Sequence, residues 1–288
     1  MQLVLLAAGH GRRFGGLKQL APVGPKGEAL MDYTAGCAAA CGFAGVVVIV
    51  REEIRDEIAG HIAARWPRAL PVELVVQAPV PGTAQAVLSA RPAISEPFVV
   101  ANADDLYGNE AIAALVSPLA TTSPASNGHR PERPHVLVGY RLNRTVLTPA
   151  PVTRGICEVD DSGALRQIVE HTVQRLEDGT FLGKPAGSDL AMRPLTGRER
   201  VSMNLWRFEV RIFDLLAEAI ASFDPARAVR PELVLPDVVN ALVITGRDAV
   251  QVVGTGARCI GVTHQEDMAL VRSEISRAEE TSLSSPAI

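Results

Sequence analysis

The chain has 288 residues, of which 47% are hydrophobic and 21% charged, and its net charge at pH 7 is −4. This composition is that of a globular protein with a large core, and it argues against a general nucleic-acid surface, which depends on clustered Lys and Arg. No run of about 18 apolar residues predicts a membrane span. The cysteines lack metal-binding spacing, which is typical of free thiols in a reducing compartment. We therefore expect a cytoplasmic protein without nucleic-acid or membrane partners.

Short apolar segments rich in β-branched residues alternate with helix patterns in the first half of the chain. The predicted strands are 2–7, 46–50, 72–76 and 97–101, and the predicted helices are 30–41, 52–64, 83–91 and 109–116. Strands that are apolar throughout are typical of a parallel sheet covered on both faces, and the alternation predicts a doubly wound α/β sheet. Because ligands bind such sheets beyond the carboxyl ends of the strands, we expect a site in loops 7–20, 77–82 and 102–108.

The second half of the chain begins with a polar, Pro-rich surface loop over residues 119–134. The segments HVLVGYRL, GICEVDD, ALRQIVE and RVSMNLWRF then predict antiparallel strands. Further helices are predicted over 209–221 and 236–244, further strands over 250–253 and 258–262, and a closing helix from residue 264. That helix carries a capping-box sequence, with Thr263 at the cap and Glu266 three residues on. The expected fold is thus α/β, with a mixed, mainly parallel doubly wound sheet and an antiparallel subregion.

The segment LLAAGHGRRFGGLKQLAPV follows the first predicted strand and fits neither common phosphate motif. Phe14 stands where a dinucleotide-binding turn needs its third glycine, and Gln19 follows Lys18 where a P-loop needs Ser or Thr. Gly9 and Gly11 nevertheless allow backbone N–H groups to approach an anion closely. With the cations of Arg12, Arg13 and Lys18, the loop suits a triphosphate, although a solvated basic loop remains the alternative.

Two further loops at strand ends carry polar side chains. In VVQAPVPGTAQAV, Gln77 offers a donor and an acceptor that match the edge of a pyrimidine, and Gly82 lets the backbone approach a base. In FVVANADDLYG, Asp104 and Asp105 are adjacent acids at the end of a buried strand, an arrangement that favours a hard cation such as Mg²⁺. Asp105 is a second ligand in one interpretation and a helix N-cap in the other.

On these three motifs the sequence resembles the nucleotidyltransferases that make nucleotide sugars. Its compact glycine loop is similar to those of the N-acetylglucosamine-1-phosphate uridylyltransferase, molybdenum-cofactor and methylerythritol-phosphate cytidylyltransferase branches. The resemblance implies a GT-A-like, Rossmann-type fold that transfers a nucleotidyl group from UTP or dTTP to a sugar 1-phosphate, with Mg²⁺ as cofactor. It implies that Arg13 stabilises the leaving pyrophosphate, that Lys18 holds the phosphate oxygens and that Asp104 binds the metal. The implied nucleotide-binding residues are Ala7, Ala8, Gly9, Gly11, Gln77, Gly82 and Thr83.

In the second half, the segments TRGICEVD, RQIVEH and VSMNLWRF resemble the family's sugar-binding strands. This resemblance implies sugar contacts from Gly155, Glu170 and Asn204. A rim ion pair for Glu170 and a strand-end cap for Asn204 remain structural alternatives. The family's second metal ligand has no clear counterpart, so Asp105, Thr263 and Asp267 all stay open.

The resemblance also implies a domain organisation. We expect one catalytic domain over residues 1–275, with a nucleotide-binding half at 1–118 and a sugar-binding half at 135–265, followed by a flexible tail at 276–288. Two alternatives remain: a cytidylyl- or guanylyltransferase that acts on a polyol or cyclitol phosphate, and a non-catalytic nucleotide-binding regulator of the same fold. The oligomeric state, including a homo-oligomer, is left open.

Overall fold

The computed structural model describes residues 1–11, 14–116, 133–226, 228 and 230–283. The first half alternates strands and helices as predicted. Its elements are β1 (Gln2–Leu6), α1 (Leu30–Ala40), β2 (Val46–Val50), α2 (Arg55–Arg65), β3 (Val72–Val76), α3 (Thr83–Ser89), β4 (Phe98–Asn102) and α4 (Asn109–Val116). The strands β3, β2, β1 and β4 lie side by side in that order and are all parallel. The predicted parallel half of the sheet is therefore confirmed.

The second half extends the same sheet with antiparallel strands. Its elements are β5 (Asp105–Leu106), β6 (His135–Arg141), β7 (Val152–Val159), β8 (Leu165–Arg175), β9 (Phe181–Pro185), β10 (Arg193–Leu195), β11 (Arg200–Phe208), α5 (Ile212–Ser222), α6 (Leu235–Ile244), β12 (Val250–Gly254), β13 (Ile260–Gly261) and α7 (Asp267–Leu283). Strand β11 pairs antiparallel with β4 and so joins the two halves into a mixed sheet. Beyond it, β7, β8, β9 and β10 continue the sheet in antiparallel order, while β12 and β6 form a parallel pair beside β11.

Two hydrophobic cores cover the two faces of the sheet, which explains why its central strands are apolar throughout. One core holds Met31, Trp66 and Tyr140, and the other holds Trp206 and Phe208 together with the helices α3, α5 and α6. Trp206 and Phe208 are each fully buried. No helix among the described residues is both long and apolar enough to cross a membrane.

The end of the chain differs from the prediction. Helix α7 begins at Asp267 rather than at residue 264, and the predicted cap of Thr263 with Glu266 is wrong. Instead the Asp267 carboxylate accepts the backbone N–H groups of Thr263 and His264, at 2.8 and 2.7 Å. The aspartate fills the role that the sequence pattern gave to threonine, because a carboxylate satisfies two free N–H groups at once. The predicted loop at 119–134 lies mostly outside the described residues, as does the end of the predicted tail.

A buried acid stabilises the junction of β6, α5 and β12. Asp248 accepts hydrogen bonds from Arg211 Nε and Nη2 at 2.9 and 2.8 Å, and His135 Nε2 lies 3.2 Å away. Burial alone would raise the pKa of Asp248, but hydrogen bonds from His135 and Arg211 outweigh it and hold the pKa well below its usual value. Because the folded pKa is lowered, this stabilisation is complete above the unfolded pKa of about 3.9 and is lost as the pH falls further.

We expect Asp248→Asn to lower the free energy of unfolding at pH 7 by about 2–4 kcal/mol, since it leaves Arg211 without its buried counter-charge. The difference from the wild type should shrink below about pH 4. Urea unfolding at pH 7, 5 and 3.5 measures it. Asp214→Asn, which breaks an exposed ion pair with Arg91, is the control and should change little. A difference that stays constant with pH would contradict this account of the Asp248 carboxylate.

Candidate functional site

A cavity of about 1120 Å³ lies at the edge of the sheet where β1, β2, β3 and β4 end. Eight of the predicted site residues line it: Ala8, Gly9, Gly11, Lys18, Gln77, Gly82, Thr83 and Asp104. The three predicted loops come from distant parts of the chain, and the parallel order of the strands brings their carboxyl ends to one place. The fold therefore assembles these loops around a single cavity.

The buried side chain of Gln19 stabilises the loop after β1. This side chain is only 2% exposed, and its Nε2 donates hydrogen bonds to the backbone oxygens of Ala7 at 2.8 Å and Gly9 at 2.7 Å. Gly11 has φ +59°, and a Cβ there would lie 2.7 Å from the Gly16 oxygen, so the turn requires glycine. Ala7 itself is fully buried behind the loop. Sequence reasoning missed Gln19 as a residue that shapes the site.

Two charged side chains of opposite sign meet on the cavity wall. Lys18, at the start of a single 3₁₀ turn, forms an ion pair with Asp104, which follows β4. Both side chains are about four-fifths buried, at 19% and 23% exposure, so solvent screens this pair less than a surface pair. Arg13, which is predicted to stabilise the leaving pyrophosphate, lies outside the described residues, as does Arg12. The pair places a cation and an anion side by side where a charged ligand would bind.

The neighbouring acid, Asp105, is turned away from the cavity into the protein. Its Oδ2 accepts hydrogen bonds from Asn102 Nδ2 at 2.8 Å and Tyr107 Oη at 3.3 Å. Burial, and then the charge of Asp104, raise the pKa of Asp105 to about 7. Of the two adjacent acids, Asp104 is the one that faces the cavity, while Asp105 shapes the turn behind it.

Asn204 lies behind this turn rather than on the cavity wall. It has φ +59°, at an irregularity in the pairing of β11 with β6. Its Nδ2 donates to Asn102 Oδ1 and its Oδ1 accepts from Trp206 Nε1, both at 2.7 Å. The amide is thus bonded within the protein, and through Asn102 it supports Asp105. Its predicted contact with a sugar stays a prediction.

Gln77 shapes the loop that follows β3. Its Nε2 donates to the backbone oxygens of Val80 at 3.0 Å and Gly82 at 3.3 Å, so both amide hydrogens have partners inside the loop. The carbonyl oxygen Oε1 is the part of this amide that is left to meet a ligand. In this arrangement Gln77 offers an acceptor, and its predicted contact with a base stays a prediction.

Gly82 and Thr83 contact the segment that precedes α6. The Leu233 backbone oxygen accepts from Ala84 N at 3.2 Å, and the Thr83 hydroxyl accepts from Leu235 N at 2.8 Å. Gly82 has φ +114°, and a Cβ there would lie well inside van der Waals contact of the Leu233 oxygen. The glycine is required here by this close approach of two backbones, a reason that sequence spacing does not reveal.

We expect Gly82→Ala to lower the free energy of unfolding by about 2–4 kcal/mol, because it adds a backbone clash to an unfavourable φ. Gly179→Ala is the matched control, since Gly179 also has a positive φ, +86°, but a Cβ added there would have no atom within 4 Å. The control should cost about 1 kcal/mol from strain alone. Urea unfolding of both variants measures the difference, and equal losses would show that the contact with Leu233 is unimportant.

The two remaining predicted residues face each other across β7 and β8, where Gly155 pairs with Glu170. A Cβ at Gly155 would lie 2.8 Å from Ile168 Cγ2, so packing as well as function favours glycine there. Glu170 forms an ion pair with Arg230, and both side chains are 38% exposed. Arg230 directly precedes Pro231 and Glu232, which line the cavity. Glu170 is not among the residues that line the cavity, and its ion pair with Arg230 connects it to the segment that does.

The donor set offers limited support for a divalent cation. Among the described residues, no three His, Cys, Asp or Glu side chains form a metal-binding group. Asp104 faces the cavity and Thr263 lines it, while the carboxylates of Asp105 and Asp267 are bonded within the protein. One carboxylate fits Mg²⁺, which commonly keeps several waters and binds through one or two carboxylates together with substrate phosphates.

Sequence reasoning also missed the residues that follow β2. Arg51, Glu52 and Glu53 line the cavity, and Arg51 Nε donates to the backbone oxygen of Ala8 at 3.0 Å. Arg51 thus supports the loop after β1 from the neighbouring strand. The rule that ligands bind at the carboxyl ends of parallel strands would have found these residues if it had been applied to β2 as well.

The sequence and the fold are similar to those of known nucleotidyltransferases. A model of the MobA-like NTP transferase domain matches residues 3–177. A curated relative from Rubrobacter xylanophilus, described as a bifunctional IPC transferase and DIPP synthase, is 36% identical over 116 residues, which span 39% of this chain and 26% of the relative.

Two solved structures share the fold. A Bacillus anthracis protein assigned as a glucose-1-phosphate thymidylyltransferase matches with a TM-score of 0.66 and 13% identity over 95% of this chain and 94% of its own. The inositol-1-phosphate CTP transferase of T. maritima matches with a TM-score of 0.63 and 15% identity over 96% of each chain. Both likenesses cover the antiparallel second half as well as the part matched by the family model.

Proposed function

The chain belongs to the MobA-like NTP transferase domain family, and on that premise we propose that it transfers a nucleotidyl group from a pyrimidine nucleoside triphosphate to the phosphate of a sugar 1-phosphate or cyclitol phosphate. In this reaction an acceptor phosphate oxygen attacks the α-phosphorus of the triphosphate. The bond from that phosphorus to the α,β-bridging oxygen breaks, and the β- and γ-phosphates leave together as pyrophosphate. The product is a diphosphate-linked nucleotide.

The observation that carries this proposal is the pairing of Lys18 with Asp104 on the wall of the cavity. Negative charge builds up on the oxygens around the reacting phosphorus, and a preorganised ammonium stabilises it in the transition state. Lys18 supplies that charge in the proposal, and the loop from Gly9 to Gly11 receives the triphosphate. Arg13 is proposed to stabilise the pyrophosphate on the strength of its sequence match alone.

Asp104 is the residue proposed to hold Mg²⁺, with Thr263 as a neighbouring oxygen. When bound there, Mg²⁺ would supply positive charge that offsets the charge of the phosphate groups. The ion pair with Lys18 supports this role, because it shows that the Asp104 carboxylate is positioned to meet a cation at the cavity surface. In the proposal Lys18 then turns from Asp104 to the phosphate oxygens.

Glu170 is the residue proposed to recognise the acceptor, because a carboxylate can accept hydrogen bonds from two neighbouring hydroxyl groups. Sugars and cyclitols both present such pairs. The relative's name refers to an IPC transferase, and one structural neighbour is named for inositol 1-phosphate and CTP. The inositol 1-phosphate in the neighbour's name favours a cyclitol phosphate as the second acceptor to test beside sugar 1-phosphates.

The proposal also concerns which base of the triphosphate is recognised. The sequence favoured UTP or dTTP, whose base edge needs both a donor and an acceptor from Gln77. Since Gln77 Nε2 donates to the backbone oxygens of Val80 and Gly82, its Oε1 is left as an acceptor, which can meet the exocyclic amine of cytosine as well as the N3–H of uracil or thymine. CTP is therefore a candidate beside UTP and dTTP, and the name of one structural neighbour supports testing it.

A panel of UTP, dTTP, CTP, ATP and GTP, each offered with glucose 1-phosphate, N-acetylglucosamine 1-phosphate and inositol 1-phosphate, tests the substrate assignment. The readout is released pyrophosphate with Mg²⁺ present. We expect turnover with a pyrimidine triphosphate that is at least about tenfold faster than with ATP or GTP, equivalent to about 1.4 kcal/mol of discrimination. Faster turnover with a purine triphosphate would contradict the role given to Gln77.

A further inference from the structure

Residues 230–235, here called the strap, contact both halves of the proposed site. At one end Arg230 forms an ion pair with Glu170 on β8. At the other end the Leu233 oxygen accepts from Ala84 N, and Leu235 N donates to the Thr83 hydroxyl. The strap is therefore attached to the proposed acceptor side and to the loop after β3 on the proposed nucleotide side.

Between these attachments the strap lies along the cavity. Pro231 and Glu232 are both lining residues, in direct sequence between Arg230 and Leu233. The proline ring fixes its own φ and restricts Arg230 to an extended backbone. Only two residues separate Arg230 from Leu233. Because this connection is so short, a displacement of one of these residues is transmitted to the other.

The contact at Gly82 makes the nucleotide end especially close. The Leu233 backbone packs against Gly82 at a distance that admits no side chain. Such a contact has few alternative arrangements, because neither backbone can move toward the other. A ligand that reorients the loop from Gln77 to Gly82 therefore acts directly on Leu233.

We propose that the strap couples the two substrate sites: nucleotide binding at the loop after β3 sets the position of Arg230, which in turn positions Glu170 for the acceptor. Arg230 acts here as a positioning residue. Coupling of this kind is reciprocal, since each ligand must change the affinity of the other by the same factor. The inference rests on the proposed function for the identity of the two sites, but the mechanical link between them is a property of the fold alone.

Kinetics with both substrates varied together test the coupling, using the triphosphate and the acceptor that give the fastest pyrophosphate release in the panel. We expect saturation with one substrate to lower the KM of the other by about fivefold or more in the wild type. In Arg230→Gln this factor should approach one and the acceptor KM should rise, while the triphosphate KM measured at low acceptor should stay within about twofold. Arg230→Lys, which keeps the charge, should retain part of the coupling.

Arg247→Gln is the matched control, because it breaks another exposed Arg–Glu ion pair. Arg247 follows α6, and its partner Glu218 lies on α5. It should leave both KM values and the coupling factor unchanged. If Arg230→Gln raised the acceptor KM and left the coupling factor intact, Arg230 would be a direct acceptor ligand and the strap would couple nothing. No change in either quantity would overturn the proposal as well.

Amide hydrogen exchange separates failure of the strap from failure of the proposed function, because it needs no turnover. The Ala84 amide is the donor to Leu233, so we expect it to exchange at least about fivefold faster in Arg230→Gln than in the wild type or Arg247→Gln, as its acceptor becomes less firmly held. Unchanged Ala84 exchange in Arg230→Gln would overturn the mechanical link even if the enzyme turned over. Faster exchange without turnover on any acceptor would support the link and reject the proposed substrates.

Discussion

Replacing Lys18 with methionine is expected to lower kcat/KM by about 10²–10³-fold, equivalent to about 3–4 kcal/mol of transition-state stabilisation. Lys18 is the described cation whose side chain reaches the carboxylate of Asp104 on the cavity wall. Methionine keeps most of the length and apolar stem of lysine but has no charge, so the loss reports the ammonium group. Steady-state pyrophosphate release with the best substrates from the panel measures it.

Two further variants interpret that result. Lys26→Met removes the next lysine in the sequence, which lies in an exposed turn. This variant should leave kcat/KM within about twofold of the wild type. Lys18→Arg keeps the positive charge but changes the shape and position of the donor, so it should recover only part of the rate. Near-normal turnover of Lys18→Met, with its fold verified by circular dichroism, would show that the charge on Lys18 does not act on the reacting phosphate.

Replacing Asp104 with asparagine is expected to lower kcat/KM by about 10²-fold or more and to raise the Mg²⁺ concentration needed for half-maximal rate. Asparagine has the same shape but lacks the negative charge that a hard cation requires. A titration with Mg²⁺ at fixed triphosphate gives both quantities. The change should be larger at low Mg²⁺, where weak metal binding limits the rate.

Asp105→Asn is the control for that experiment because it lies next in sequence but points into the protein. Asparagine can still accept hydrogen bonds from Asn102 and Tyr107, so we expect kcat/KM within about tenfold of the wild type and an unchanged Mg²⁺ titration. If Asp105→Asn shifted the Mg²⁺ titration and Asp104→Asn did not, the metal would have to be assigned to Asp105.

The parallel half of the fold was predictable because its signals are local. An unbroken apolar run such as that of β2, Val46–Val50, reports burial on both faces, and the end of each run marks the edge where loops gather. The cavity residues Lys18, Gln77 and Asp104 were found in this way. Their roles as catalytic, base-binding and metal-binding residues remain predictions.

What the sequence could not reveal depends on contacts between distant residues. The sequence places Gln19 in a basic loop. In the structure its amide is buried and donates hydrogen bonds to the backbone oxygens of Ala7 and Gly9. Gly82 reads as an opening for a base, yet it meets Leu233, about half the chain away in sequence. Asn204 reads as a sugar ligand, yet its amide bonds to Asn102 and Trp206. In each case the residue type was informative, but its partner was set by tertiary packing.

The most direct test of the central claim follows the α-phosphorus itself. Triphosphates labelled with ³²P at the α-position, incubated with Mg²⁺ and the acceptors of the panel, should yield a labelled product that resists phosphatase, in amounts equal to the pyrophosphate released and only when acceptor is present. Binding of the same triphosphates in calorimetry, without label transfer or pyrophosphate release on any acceptor, would contradict nucleotidyl transfer to a sugar or cyclitol phosphate.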